Sequence, residues 1–285
     1  MNNWVATYDL GICPASWDFL TWLLNVEAER REANGGPIRV RFVKGPKNGF
    51  RDDGAARPLD QRRAILKNVM LPALKLVGAE QTTEKENQRS PSYLIKQTVR
   101  MARAGLEIPQ WRVPDEAMQE VAARLAGRHP VVVTMREAEY YPERNSNVNV
   151  WIDWAKSCGE DVIFVRDTRL ADVPVAGGIE TAPYASTDFL LRAALMAQAK
   201  ANLMVANGPI ALAMFLPVPW LMFRPLTPAL PTYRPARSGH GKSSASDTAA
   251  KSRGQPKNSV SYGAMIRSPT SNRPGPRSTA TKILG

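Results

Sequence analysis

The residues of this chain best suited to binding a phosphate group form a short turn, Asn207-Gly208-Pro209. The turn follows an apolar stretch of strand length and precedes an apolar stretch that could form a short helix. Proline is favoured at the first position of a helix, and the backbone N–H groups at a helix start carry partial positive charge. A phosphate or pyrophosphate could therefore accept hydrogen bonds here. The alternative is an ordinary tight turn inside a buried βα unit.

Three arginines lie in loops that follow predicted strands: Arg136, Arg144 and Arg166. In an open parallel sheet, the loops after the strands meet at one edge and bind ligands there. A guanidinium group can bind two phosphate oxygens at once, so these arginines are candidate ligands of a diphosphate. The alternative is that each arginine forms an ion pair with a neighbouring acid: Glu137, Glu143 or Asp167.

Two aspartates, Asp9 and Asp18, flank the loop after the first predicted strand. Either could act as a general base on a substrate bound across a cleft. Alternatively, Asp9 is an exposed loop acid and Asp18 stabilises the first turn of a helix. The chain has two cysteines and two histidines, and it lacks the GxGxxG and GxxxxGK[ST] motifs. We therefore expect no metal site and no cofactor.

The elements that would position these residues begin with a βαβ unit. Trp4 to Leu10 is predicted to be a strand, and Ser16 to cap a helix that ends near Arg31. Ile38 to Val43 alternates apolar residues with arginines and is predicted to be a second strand. Three further helices are expected: residues 60–77 with a kink or break at Pro72, residues 92–104 and residues 114–127.

A second alternation of strands and helices begins at residue 131. The predicted strands are residues 131–135, 161–165, 203–206 and 220–223, and the predicted helices are residues 149–157, 187–200 and 210–216. This order is typical of a parallel sheet covered by helices. We therefore predict an α/β fold of two Rossmann-like parallel-sheet halves, residues 1–110 and 111–232, followed by a disordered tail at residues 233–285.

The formal charge of +12 is concentrated in the predicted tail. From Tyr233 onward there are ten Lys or Arg residues and one acid, Asp247, so the tail carries about +9 and the preceding body about +3. The tail is rich in Ser, Gly, Pro and Thr and has too few large apolar residues to form a core. A further helix would be expected after the last strand, and its absence suggests truncation or a change of reading frame after about Pro228.

The uncharged segment from Ala201 to Phe223 is long enough to cross a bilayer. It is interrupted by the Asn207-Gly208-Pro209 turn and by Pro217 and Pro219, which favours strand, short helix and strand in a soluble core. The chain begins without a basic and apolar leader, and its cysteines form no CxxC motif. We expect a cytoplasmic protein with two free thiols and no membrane span.

Residues 131–226 resemble the donor half of bacterial inverting glycosyltransferases of the GT-B type, particularly the heptosyltransferase and fucosyltransferase-like groups. The resemblance lies in four motifs: VVVTMRE at Val131, YYPERNS at Tyr140, VIFVRDT at Val162 and NLMVANGPIALAMFLPVPWLMFRPL at Asn202. It implies that Asn207, Gly208 and Pro209 hold the diphosphate of a nucleotide sugar, with Arg136 and Arg144 nearby.

The same resemblance implies that the N-terminal βαβ unit around PASWDFLTWLL is the acceptor half. The chain has no metal-binding DxD triplet, which fits a metal-independent transferase.

Our first hypothesis is therefore a glycosyltransferase-like protein that moves a sugar from a nucleotide-sugar donor to a glycan or small-molecule acceptor. One alternative is a catalytically inactive nucleotide-binding relative. Another is a nucleic-acid-associated protein that acts through its basic tail. For the folded body we expect no nucleic-acid partner.

Overall fold

The computed structural model describes residues 3–52, 58–85, 91, 93–139 and 141–223, and within these ranges every strand belongs to one of two parallel sheets. This confirms the predicted α/β class. The predicted tail at residues 233–285, and the change suggested after Pro228, lie outside the described residues.

The first sheet contains the predicted βαβ unit. Its elements are β1 (Trp4–Asp9), α1 (Asp18–Glu32), β2 (Ile38–Val43) and β3 (Glu80–Gln81), in the sheet order β1-β2-β3. The two-residue strand β3 was not predicted. Both of its side chains are exposed, so its sequence shows none of the apolar alternation that marks a half-buried strand.

The helical segment between β2 and β3 changes its hydrogen-bond pattern at the predicted break. It comprises α2 (Leu59–Ile65), a π turn (Leu66–Met70), α3 (Leu71–Ala73) and a 3-10 turn (Leu74–Val77). Pro72 has no N–H to donate to the preceding turn, and the π turn lies immediately before α3, where Pro72 is the second residue. Two more helices follow: α4 (Ile95–Arg103) and α5 (Asp115–Leu125).

The second sheet has five parallel strands in the order β6-β5-β4-β7-β8. Its elements, in chain order, are β4 (Val131–Thr134), α6 (Val148–Ser157), β5 (Val162–Val165), β6 (Glu180–Thr181), α7 (Pro183–Thr187), α8 (Phe189–Gln198), β7 (Ala201–Val205), α9 (Ile210–Ala213) and β8 (Trp220–Phe223).

The uncharged segment from Ala201 to Phe223 is therefore divided among β7, α9 and β8, as its prolines predicted. Nowhere in the described ranges is a helix both long enough and apolar enough to cross a bilayer.

The two sheets share one apolar core. It contains Tyr8 of β1 and Phe19 of α1 as well as Met204 of β7 and Leu212 of α9, all of them fully buried. Trp111, in the connection between the sheets, packs into the same core and donates from its backbone N–H to the Phe215 carbonyl (2.9 Å). Both sheets belong to one compact unit. The boundary predicted near residue 110 stays a prediction.

Helix α8 lies at the centre of this shared core and begins with a side-chain cap. The Oδ1 atom of Asp188 accepts a hydrogen bond from the backbone N–H of Leu191 (2.9 Å), while Phe189, Ala193 and Met196 are buried among residues of both sheets. The start of α8 is therefore fixed by one polar contact that can be tested.

We expect Asp188→Ala to lower the free energy of unfolding by about 1 kcal/mol, because the Leu191 N–H loses its acceptor. Asp188→Asn keeps an acceptor oxygen in the same place and serves as the matched control. Urea unfolding followed by circular dichroism measures both variants. Equal losses in the two variants would show that the charge of Asp188, and not its capping bond, stabilises α8.

Candidate functional site

The carboxyl ends of β4, β5 and β7 lie side by side, because the strands are parallel and in register. Thr134 pairs with Val165 on one side and with Met204 on the other. The loops that carry Arg136, Arg166 and Asn207 therefore begin at the same sheet edge, as the sequence predicted. The three predicted arginines nevertheless differ in their contacts.

Arg136 is buried and holds the loop that follows β4. Its Nη1 donates to the Tyr141 carbonyl (2.9 Å) and to the side-chain oxygen of Asn145. Its backbone N–H donates to the Ser146 hydroxyl (3.0 Å). These contacts join Arg136 to Tyr141, Asn145 and Ser146, so the first role of Arg136 is to position its neighbours.

Arg166 forms a buried ion pair with Glu137, and the two side chains are only 10% and 9% exposed. Its Nε lies 3.1 Å from Glu137 Oε2, Nη2 contacts Oε1, and Nη1 donates to the Val173 carbonyl (2.8 Å). Of the alternatives that the sequence left open, ion pairing with a neighbouring acid describes Arg166. The pair neutralises its charge and joins the loops after β4 and β5.

Arg144 differs from both. Its Nη2 donates to the Ala206 carbonyl (3.0 Å), directly before the Asn207-Gly208-Pro209 turn. Its Nε is buried and has no hydrogen-bond partner, and it forms no ion pair with any described carboxylate. A buried N–H without a partner costs about 1–3 kcal/mol, a cost that a bound acceptor would remove.

Asn207 adds a second unsatisfied group beside Arg144. Its side-chain oxygen is buried and has no hydrogen-bond partner. The oxygen and nitrogen of such an amide exchange places on rotation of the group, so Asn207 could present either a donor or an acceptor to a ligand. The turn and Arg144 thus leave two adjacent polar groups unused by the protein.

The helix after this turn is shorter than predicted. It covers Ile210–Ala213 instead of residues 210–216, and Pro209 occupies the cap position instead of the first helical position. The N–H groups of Ala211 and Leu212 donate three residues back, to Gly208 and Pro209, as in a 3-10 turn. So short a helix has a small dipole, and the predicted electrostatic attraction of a helix start is correspondingly weak.

Gly208 contacts the first sheet's helix directly. A Cβ atom on Gly208 would lie 2.3 Å from Cδ1 and 2.4 Å from Cγ of Trp17, closer than side chains ever approach. Trp17 occupies the cap position immediately before α1. The turn after β7 is therefore packed against the start of α1, and only glycine fits there.

Asp18, the next residue, is exposed at the start of α1. Its Oδ2 accepts a hydrogen bond from the Ser16 hydroxyl (2.7 Å), which in turn accepts from the Asp18 N–H (3.2 Å). Trp17, and not Ser16, occupies the cap position, which corrects the predicted helix start. The second predicted acid is thus one residue from Trp17, which contacts the predicted phosphate-binding turn.

Asp9, the other predicted acid, is half-buried and holds its own loop. Its Oδ1 accepts from the Gly11 N–H (2.7 Å), and its carbonyl accepts from the Cys13 N–H (2.7 Å). Cys13 and Cys158 are free thiols, as predicted. In the part of the chain that the structure describes, no group of three His, Cys, Asp or Glu side chains is arranged to hold a metal ion.

Arg192 of α8 is a site residue that sequence reasoning missed. It is 7% exposed, and its Nε and Nη2 donate to the carbonyls of Ala185 (2.6 Å) and Ser186 (3.3 Å). Its Cζ lies 5.8 Å from the centre of the Trp17 ring system. Burial lowers the pKa of Arg192 to about 10, while the charge of Asp167 acts in the opposite direction. At neutral pH the guanidinium stays charged. A lone arginine in the apolar stretch FLLRAALMA was the signal available in the sequence.

We expect Glu137→Ala to lower the free energy of unfolding by about 3–5 kcal/mol, because it leaves the buried charge of Arg166 unpaired. The double variant Glu137→Met/Arg166→Met should recover most of that loss, since it removes both charges. Glu160→Gln, in the exposed pair with Lys200, is the control and should cost about 1 kcal/mol or less. Denaturant titration measures all three. A small loss in Glu137→Ala would mean that Arg166 is available to a ligand.

Comparison with known proteins finds similarity only among solved structures. No protein-family model matches the chain, and no curated protein matches it. The solved structures that resemble it include a glycosyl transferase family 9 protein from Veillonella parvula, with 14% identity, coverage of 77% of this chain and 79% of that one, and a TM-score of 0.44.

Two E. coli structures are similar to the same degree. ADP-heptose LPS heptosyltransferase II is 13% identical, with 78% of this chain and 84% of that one covered and a TM-score of 0.45. Heptosyltransferase WaaC with ADP-2-deoxy-2-fluoro heptose is 13% identical, with 80% and 90% covered and a TM-score of 0.43. At these identities and TM-scores the similarity assigns no function to this chain, so the residues of the site must indicate it.

Proposed function

We propose that the junction between the two sheets, where Trp17 contacts Gly208, binds a nucleotide sugar through its diphosphate. We further propose that the protein is a metal-independent glycosyltransferase. One observation carries the proposal: the exposed carboxylate of Asp18 lies one residue from Trp17, whose indole contacts Gly208 in the predicted phosphate-binding turn. A candidate base from the first sheet and a candidate anion site from the second are thereby brought to one place.

The diphosphate would be bound by Arg144 and by the turn at Asn207 and Gly208. Arg144 supports this role because its Nε has no protein partner and no carboxylate competes for its charge within the described ranges. Hydrogen bonds between a guanidinium and phosphate oxygens are charge-assisted and about twice as strong as neutral ones. In this proposal Arg136 and Arg166 act indirectly, by holding the loops on either side.

The transfer step would use the carboxylate of Asp18 as a general base. It takes the proton from an acceptor hydroxyl, whose oxygen forms a bond to the anomeric carbon while the bond from that carbon to the diphosphate breaks. The nucleoside diphosphate leaves with an added negative charge, which the guanidinium of Arg144 stabilises. Asp18 is preferred over Asp9, because Asp18 is exposed to solvent and adjoins Trp17, whereas Asp9 is half-buried.

Binding of nucleotide sugars without any turnover would instead identify an inactive nucleotide-binding relative.

We expect Arg144→Gln to weaken binding of nucleoside diphosphates by about 10- to 100-fold, the equivalent of one charge-assisted hydrogen bond. Isothermal titration calorimetry with a panel of nucleoside diphosphates and their sugars measures the effect. Arg124→Gln is the matched control, because Arg124 lies on α5 and pairs with Glu120 at the surface. If no panel member binds the wild-type protein, the proposal is wrong.

We expect Asp18→Asn to lower the rate of nucleoside diphosphate release from the bound nucleotide sugar by about 10²- to 10⁴-fold. Water can replace the unknown acceptor in this assay, because the same base would deprotonate it. The dissociation constant of the donor should stay within about twofold. Asp9→Asn is the control, and a larger loss there than in Asp18→Asn would transfer the role of base to Asp9.

A further inference from the structure

The side chain of Trp17 lies next to three residues from the part of the chain that forms the second sheet: Gly208, Phe189 and Arg192. Its Cδ1, Cγ and Cβ atoms lie against Gly208, its ring system is 5.7 Å from the ring of Phe189, and the Cζ of Arg192 is 5.8 Å from its centre. The indole therefore covers both the glycine of the turn and a buried guanidinium.

Arg192 is a buried cation that lies under this indole. It is 7% exposed, its two hydrogen bonds go to neutral backbone carbonyls, and no carboxylate forms an ion pair with it in the described part of the chain. A buried charge is stable when it is paired, and here the face of an indole takes the place of an anion. The positive charge is thus only partly compensated.

The unused polar groups of the site belong to the loop and turn beside this indole. Asn207, with its unsatisfied side-chain oxygen, directly precedes Gly208, and Arg144, with its unsatisfied Nε, binds the carbonyl of Ala206. If the indole moved aside, Gly208 and Arg192 would be uncovered next to these groups. Together these residues would offer a ligand two guanidinium groups and one amide.

We propose that the indole of Trp17 is a displaceable cover, and that a diphosphate takes its place against Gly208 and beside Arg192. This inference rests on the proposed function and adds a ligand-binding role for Arg192 and a selective role for Trp17. A diphosphate replaces the cation–π contact with charge-assisted hydrogen bonds, which a neutral sugar cannot do. The cover therefore admits phosphorylated ligands and excludes neutral ones.

The surroundings of Trp17 allow the movement. Trp17 is partly buried, and it lies at the cap position, before the first residue of α1. Ile12, in the loop that leads to it, is 68% exposed. The indole is therefore only partly enclosed: it packs against the shared core and the three groups that it covers, and part of its surface reaches solvent.

The test compares the wild-type protein with Trp17→Ala and Trp17→Phe, using inorganic pyrophosphate as the probe. Phenylglyoxal reacts with accessible guanidinium groups, and peptide mass spectrometry reports the modification of Arg192 alone. We expect Arg192 to react at least tenfold faster in Trp17→Ala than in the wild type, and pyrophosphate to suppress that reaction. We also expect pyrophosphate to bind Trp17→Ala at least tenfold more tightly. Trp17→Phe, which keeps an aromatic cover, should lie close to the wild type.

Unchanged reactivity of Arg192 and unchanged pyrophosphate affinity in Trp17→Ala would overturn the proposal that the indole covers Arg192. This holds even if nucleoside diphosphates bind the wild type through Arg144. Conversely, faster reaction of Arg192 and tighter pyrophosphate binding in Trp17→Ala would support the proposal that the indole covers Arg192. If no nucleotide sugar binds in that case, only the proposed function fails. Exposure of Arg192 without pyrophosphate binding would overturn the proposal that a diphosphate replaces the indole.

A measurement on the unaltered fold covers the case in which Trp17→Ala does not reach the native circular dichroism spectrum. The chain has seven tryptophans, so protein labelled with 5-fluorotryptophan should give seven ¹⁹F resonances. The resonance that is lost in Trp17→Phe belongs to Trp17. Pyrophosphate should shift that resonance more than the other six, and an unshifted Trp17 resonance at saturation would contradict the proposal.

Discussion

The contact between Trp17 and Gly208 joins the two sheets at the place where their polar residues meet. The indole lies so close to the glycine Cα that no side chain could be added there. Around it, the core is continuous from Tyr8 of β1 to Leu212 of α9. Because close packing transmits small displacements, a change at this contact must be accommodated on both sides. The acid at the start of α1 and the turn after β7 are therefore joined by an aromatic contact within a larger shared core.

Three arginines reach the same sheet edge, but the electrostatics of burial gives them different roles. Arg166 is paired with Glu137, and Arg136 is used by the loop it holds. Arg144 keeps a buried N–H that the protein does not satisfy. Arg39 and Arg62 also have a buried Nε without a hydrogen-bond partner, so this feature alone does not mark a site. What sets Arg144 apart is its bond to the Ala206 carbonyl, directly before Asn207, and this position underlies the proposal that a ligand completes its hydrogen bonds.

The sequence was sufficient to predict the elements whose side chains alternate or repeat, such as β1, α1 and β2, because burial on one face imposes a period. It could not predict β3 at Glu80 and Gln81, which pairs through its backbone with exposed side chains. The roles of Arg136 and Arg144 were equally inaccessible, since they depend on which carbonyl oxygens lie within reach. Arg192 could have been suspected as a lone cation in an apolar helix, but its position under Trp17 follows only from the packing of residues distant in sequence.

The backbone around Trp17 is held more firmly than its side chain. The Phe19 N–H donates to the Ser16 carbonyl (3.1 Å), and the Leu20 N–H donates to the Trp17 carbonyl (3.0 Å). The Ser16 hydroxyl binds the Asp18 carboxylate. Rotation of the indole about its own side-chain bonds would break none of these hydrogen bonds. A ligand could therefore displace the indole while the carboxylate of Asp18 keeps its place, so that the base is already positioned when the anion enters.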